Sequence, residues 1–323
     1  MILAALVVAV LTPEAAAHPG VVHKSIARAL PTLVAGASGH VEKKGCFACH
    51  NQAYPMAAFA AAKARGYELP GSLFAEQTKH VRAFLESNED HFRSGVGTGG
   101  QVTTAGWALF TLELGGQKAD QVTEAVIEYF LQKDVANGRW GVSSNRPPTQ
   151  ASNFTSNYLA VRGIQKWATA EQRDRAAKRL DAVRAWVLKT PAKDTEDRVY
   201  RLLTLKALNA DAESIREAAD ELARDQRADG GWGQLPKMDS DPYATGTALF
   251  ALLESGEAKA QSADYRRGVA FLVQSQRDDG TWLVKTRSKV IQPYYESGFP
   301  HGNDQFISVS ATAWAVIALL PAS

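Results

Sequence analysis

Cysteine is almost missing from this chain, with two in 323 residues. A structural zinc site takes about four ligands, and there are too few sulfurs to supply one. An excess of one charge is missing too. Lys and Arg number 36 against 34 Asp and Glu, a formal charge of +2 spread along the whole length. That excludes the concentrated basic face that a nucleic-acid binder needs to neutralise phosphates. No uninterrupted apolar run reaches the roughly 18 residues that cross a bilayer, so no membrane span is expected. Stretches of alternating, β-branched character are absent as well, which removes most sheet architectures. What remains is a chain with 45% apolar residues, long enough for one large helical core.

The N-terminus reads as a secretory signal. MILAALVVAVLTPEAAAH carries an apolar stretch from Ile2 to Leu11, then Pro13 and the small residues Ala15, Ala16 and Ala17. This is an h-region followed by an Ala-x-Ala cleavage pattern, although the usual positive n-region is lacking. Residues 1–17 are therefore expected to be removed, the protein to be periplasmic or secreted, and residues 18–323 to form a single domain.

Both cysteines fall in one segment, GCFACHNQAYP at residues 45–55. A Cys46–Cys49 disulfide would close a very small loop and constrain the unfolded chain little. A redox dithiol normally sits in a βαβ context, which is not present. The spacing Cys-x-x-Cys-His is that of covalent haem c attachment, with thioethers at Cys46 and Cys49 and His50 ligating the iron. Haem c is thus the expected cofactor, attached within residues 45–50.

Downstream, the chain repeats. QRADGGW (226–232) and QRDDGTW (276–282) lie 50 residues apart, with a looser QKDVANGRW at 132–140. After each comes a polar loop and then a helix rich in small residues, as in WALFTL from Trp107, TALFAL from Thr247 and WAVIAL from Trp314. With helices from Ala53, Asn157 and Tyr200 this makes six that are apolar nearly all round, hence buried. Between them run six amphipathic segments, near 20–34, 73–92, 117–133, 169–189, 212–227 and 263–276, each with one apolar stripe. Alternating outer and inner helices, six of each, close into an all-α (α/α)6 barrel.

The Gln-x-x-Asp-Gly-x-Trp elements resemble the repeats of squalene–hopene cyclases and protein prenyltransferases. CFACHNQ, SDPYATG and YYESGFPHGNDQFIS resemble secreted bacterial prenyltransferase and squalene oxidase repeat proteins that carry a c-type haem motif. The likeness implies a terpenoid-cyclase-like toroid in which the glutamine ties an outer helix to its neighbour and the tryptophan packs beneath. It also implies where a class II cyclase would keep its acid, an Asp-x-Asp-Asp element. The best match is MDSDPYATG, where Tyr243 and Ala244 stand in for the later aspartates; a phenol is far too weak an acid to protonate an alkene. Asp239 and Asp241 are explained equally well as acids at a helix N-terminus. No zinc set of the prenyltransferase kind appears in the repeats.

In such a barrel CFACH precedes the first inner helix, which puts the haem at the mouth. Val284–Ile307 forms the longest loop to reach that mouth, and His301 on it is the expected distal metal ligand opposite His50. Met238 and an open iron site are the alternatives; His91 and Met56 are poorer candidates. Asn51, Tyr54 and Tyr243 are expected to line the cofactor, and Lys43 and Lys44 to form a positive rim. The function expected from these residues is a monomeric, monohaem c-type cytochrome that transfers electrons to a redox partner or binds a small ligand. The alternative is a haem peroxidase or oxygenase acting on an apolar molecule in the barrel, with cyclisation disfavoured by the missing acid.

Overall fold

The computed structural model describes residues 12–290 and 293–323. The apolar run Ile2–Leu11 of the expected signal lies outside the described residues; just after it, α1 (Pro13–Ala16) packs on α13, and Ala16 is fully buried. Among the described residues fourteen α-helices follow one another and there is no strand. After α1 come α2 (Pro19–Lys43), α3 (Tyr54–Ala64), α4 (Leu73–Ser87), α5 (Glu89–Arg93), α6 (Gln101–Leu114) and α7 (Gln121–Gln132). The second half holds α8 (Asn153–Trp167), α9 (Arg173–Lys189), α10 (Thr195–Ala207), α11 (Ala212–Ala223), α12 (Pro242–Ser255), α13 (Ala263–Ser275) and α14 (Gln305–Leu319).

The inner ring runs α3, α6, α8, α10, α12, α14 and back to α3, each packed on the next. Helices α2, α4, α7, α9, α11 and α13 lie outside it, as the two kinds of pattern require. The inner helices bury nearly every position; α14, for example, buries Ile307, Val309, Trp314 and Val316. With its flanking turns α14 is long and apolar enough to cross a membrane, yet most of it is buried inside the barrel.

The repeat residues lock this arrangement through one recurring set of bonds. The indole N–H groups of Trp140, Trp232 and Trp282 donate to Phe130, Leu222 and Leu272 O, ten residues back at the end of the preceding outer helix, at 2.9, 2.8 and 2.7 Å. Their backbone N–H groups donate to Asn157, Thr245 and Thr312 on the following inner helix. Each tryptophan therefore ties itself to a carbonyl in the last turns of the outer helix, while filling the wedge between two layers. The glutamine reaches sideways. Gln226 Nε2 donates to Asp264 O of the next outer helix at 2.7 Å, and Gln276 Nε2 donates to Ser25 O of α2 at 2.8 Å, which joins the last repeat to the first and closes the ring. Gly280 sits at φ +82°, and a Cβ there would lie 2.3 Å from Arg28 O. No side chain fits between this turn and α2.

Replacing Trp282 with Ala is expected to cost about 3–5 kcal/mol through the cavity and the lost indole bond. Gly280→Ala should destabilise as well, because the clash is with backbone. Thermal or urea unfolding checks both, and two near-neutral results would contradict this account of the repeat.

Candidate functional site

The barrel mouth holds a cavity of about 400 Å³, and CFACH forms one wall of it. Thr98, Arg146 and Gln150 also line it, Gln150 Nε2 reaching Cys49 Sγ at 3.8 Å, as do Tyr294, Tyr295 and Phe306 of the last loop and α14. Trp107, Tyr200 and Tyr243 are fully buried and lie outside this lining. Between Cys49 and Ala53 the chain makes a single wide turn, with Tyr54 N–H donating to Cys49 O, before it narrows into α3. Such i→i+5 turns concentrate at functional sites. This one brings Cys46, Cys49, His50 and Tyr54 into the same cavity wall.

A buried histidine holds the segment. His40 on α2 places Nε2 2.7 Å from Cys46 O and Nδ1 2.6 Å from the Tyr295 hydroxyl. The carbonyl only accepts, so Nε2 carries the proton and Nδ1 accepts from Tyr295, whose oxygen accepts in turn from Asn51 Nδ2 at 2.9 Å. His80 Nε2 donates to the second lone pair of Cys46 O at 3.1 Å. Burial pushes the His40 pKa down to about 4, which keeps this neutral tautomer in place.

The two thiols differ. Cys46 is exposed and Cys49 buried, both uncrosslinked. Burial pushes the Cys49 thiol up to about 12, the opposite of what a nucleophilic or redox-active cysteine requires. Desolvation also drives His50 down to about 3, so its imidazole is neutral; it makes no hydrogen bond to any described residue and meets only the edge of Phe306, with ring centroids 5.6 Å apart.

Other expected residues lie elsewhere. His301 does not line the cavity. Its Nε2 bonds Thr281 Oγ1 at 2.6 Å and lies 4.0 Å from Asp279, so the loop histidine is latched to the Asp-Gly-Thr-Trp turn beneath it. Met238, Met56 and His91 are likewise outside the lining. Tyr243 lies deep in the barrel and donates to Glu196 Oε2 at 2.9 Å. Asn51 is buried behind the wall on Tyr295. Lys44 sits 4.5 Å over the Tyr295 ring, and Lys43 Nζ donates to Glu296 O, so both lysines hold the last loop. That loop lies against α2, where a Cβ on Gly39 would sit 2.1 Å from Ser297 O.

The comparisons with known proteins fit this architecture. Residues 197–302 match the squalene-hopene cyclase C-terminal domain. Squalene–hopene cyclase of Bradyrhizobium diazoefficiens is 32% identical over 129 residues, 34% of this chain and 18% of that protein. Lanosterol synthase of Saccharomyces cerevisiae is 36% identical over 107 residues, 33% and 13% of the two chains. The chain thus spans less than a fifth of the length of these relatives. Among solved structures, apo MstE from Scytonema, a type II terpene cyclase, superposes with a TM-score of 0.56 at 17% identity over 94% of this chain and 98% of its own. The fold is that of the type II terpene cyclases.

Against the cyclase-like fold the cytochrome expectation is corrected. The matches are to cyclases, the barrel is theirs, and among the described residues no group of three or more His, Cys, Asp or Glu stands ready to hold a metal ion. Neither the electron-transfer role nor the peroxidase or oxygenase alternative is carried further. The sequence view had stopped the first outer helix at residue 34. The apolar stripe Ile26, Leu30, Leu33 and Ala37 continues to His40, and following it would have found the residue that holds Cys46. Arg146 carries no comparable signal.

Asp241 caps α12, accepting from Tyr243 N and Ala244 N at 2.9 and 3.1 Å. Burial pushes it up to about 6. Glu196, also held by Thr155 at 3.0 Å, is pushed up to about 8, chiefly by burial, and is protonated at neutral pH.

These shifts set the pH dependence. His40 titrates near 6.5 unfolded and about 4 folded, so its contribution is complete above pH 6.5 and is lost as pH falls towards 4, at most about 3 kcal/mol. Glu196 acts oppositely; its contribution is complete below about 4.5 and is lost as pH rises towards 8. Unfolding titrations of Glu196→Gln should therefore show the loss between pH 4.5 and 8 flattened, and an unchanged slope there would contradict the assignment. In His40→Phe, Cys46 O loses a donor, and stability should drop by about 1–3 kcal/mol. Thiol reagents should then reach Cys49 faster than in the wild type.

Proposed function

We propose that this chain is a binding protein on the terpene-cyclase fold, exported from the cytoplasm, whose occupant sits at the barrel mouth and not at the barrel centre. The observation that carries this reading is the position of the cavity: it opens against CFACH, while Trp107, Tyr200 and Tyr243 on three inner helices are fully buried outside it. The lining combines aromatic rings with a few polar groups, the usual make-up of a small-molecule site. MstE has been solved with geranylgeranyl dihydroxybenzoate, an apolar chain ending in an acid. A molecule of that general character, an apolar body with an acidic group, suits the mouth of this barrel.

For the occupant we propose haem c, which has the same character in a flat macrocycle bearing two carboxylates. The donor set fits it in part. Cys46 and Cys49 would form the thioethers, and neutral, unbonded His50 would face the iron; among the described lining residues there is no methionine and no second unengaged histidine. When bound, the group would supply an iron centre with one protein ligand. The chain itself holds the attachment segment through His40 and His80 and keeps Cys49 and His50 neutral by desolvation. Cyclisation initiated by protonation is not part of this proposal, since Asp241 and Glu196 are both weakened as acids.

The full chain, produced in a periplasm with haem-maturation machinery, is expected to retain haem in denaturing acid, and the Cys46→Ser, Cys49→Ser double variant to lose it. Colourless wild-type protein from that host would remove haem c and leave a free apolar acid as the occupant. Failure of the cavity to take any apolar molecule would remove the reading altogether.

A further inference from the structure

We infer that Arg146 is the anion-recognising residue of the mouth cavity, and that the occupant presents a carboxylate to it. The inference rests on the binding reading above and deepens it.

Arg146 is half-buried in the cavity wall, and its guanidinium has no hydrogen-bond or ion-pair partner among the described residues. Arg162, Arg198 and Arg201, also partly buried, each have a carboxylate: Arg162 pairs with Glu113 at 3.0 Å, and Arg198 and Arg201 share Glu221. A half-buried guanidinium facing a cavity without an acceptor is open to an anionic ligand. None of the described lining residues is an Asp or Glu. The backbone beneath the side chain is fixed, because Arg146 and Gln150 exchange N–H···O bonds of 3.3 and 2.9 Å.

A second set of observations points the same way. Gln150 Oε1, Thr98 Oγ1 and the Tyr54 hydroxyl line the cavity, are buried, and have no partner within hydrogen-bond geometry. Buried polar atoms are nearly always satisfied. Two of the three can donate, so together with Arg146 they would receive an oxyanion. Among the described lining residues Arg146 is the one unengaged, half-buried cation: Lys44 is drawn over Tyr295, and Lys289 is exposed. One such charge matches one carboxylate, and the planar fork of arginine pairs with it bidentately. A diphosphate would bring more negative charge than the wall compensates.

The test uses the full chain produced without haem attachment, with two pairs of probes that share an apolar body and differ in the acid. Protoporphyrin IX is compared with its dimethyl ester, and retinoic acid with retinol, by quenching of tryptophan fluorescence. We expect the wild type to prefer at least one acid over its neutral counterpart by tenfold or more. Arg146→Gln should abolish that preference, weakening the acid tenfold or more relative to its neutral counterpart, and Arg146→Lys should restore part of it. Preference confined to the porphyrin pair identifies a macrocycle carboxylate, and preference confined to the retinoid pair a prenyl acid; either supports the inference. Equal wild-type affinity for acid and neutral forms overturns it even if the variants do not fold, and leaves the cavity as a binding site. If no probe of either kind binds, the cavity reading itself fails, and the inference falls with it.

Discussion

Ring closure is the constraint on which this barrel depends. Six inner helices gain a common core only if the sixth packs on the first, and the chain must return to its own beginning to allow that. Gln276 on the last repeat does so by donating to Ser25 O while Ser25 Oγ bonds its Oε1 at 2.7 Å. Arg28 adds a bond to Arg277 O, and the turn at Gly280 lies against the α2 backbone without a side chain between them. The same glutamine, glycine and tryptophan earlier in the chain join neighbouring repeats, so closure reuses a local device. A device that spans only seven residues is easy to copy, which explains why the barrel shows in the sequence as a repeat.

This locality also sets what was legible. Helix positions, the inner and outer alternation and the role of the tryptophans follow from spacing, because each depends on residues within one repeat. The mouth is different, since it is assembled from loops that have no period. His301 lies on the expected loop, yet a 2.6 Å bond to Thr281 holds it to the turn below instead of delivering it to the cavity. Composition does not distinguish these two outcomes. His40 and Arg146 flank CFACH by 6 and 96 positions, and their convergence on it appears only when the barrel is closed. The cytochrome expectation had a related origin: it took five residues as the function and left the cyclase-like body as a carrier.

The last loop links the two levels. It leaves the turn that closes the ring, crosses the mouth, and brings Tyr295 down onto His40 and Asn51. Lys43 reaches back from α2 to Glu296 O, and Gln305 at the start of α14 holds Tyr295 O and Ser297. The covering of the cavity is thus anchored on α2 and α14, the two helices that meet at the seam. Strain at the seam would therefore be felt at Cys46, through a chain of bonds only three side chains long.

The centre of the barrel explains why a cyclase-like fold need not cyclise. Protonating an alkene demands a carboxylic acid of unusual strength, which means charged or donating neighbours that stabilise its anion. Here the buried acids are treated in the opposite way. Burial of Glu196, with Asp194 and Asp197 nearby, outweighs the bonds donated by Tyr243 and Thr155, so its anion is disfavoured and its proton is held more tightly than in water. Asp241 spends its oxygen on the first turn of α12. Tyr200 and Tyr243, whose phenols burial makes weaker acids still, occupy the space around Glu196. A neutral Glu196 accepting from Tyr243 and Thr155 is a good core group, because it satisfies two donors without placing a charge in the interior. Glu196 thus serves packing, while the cavity of about 400 Å³ lies at the mouth, where CFACH is.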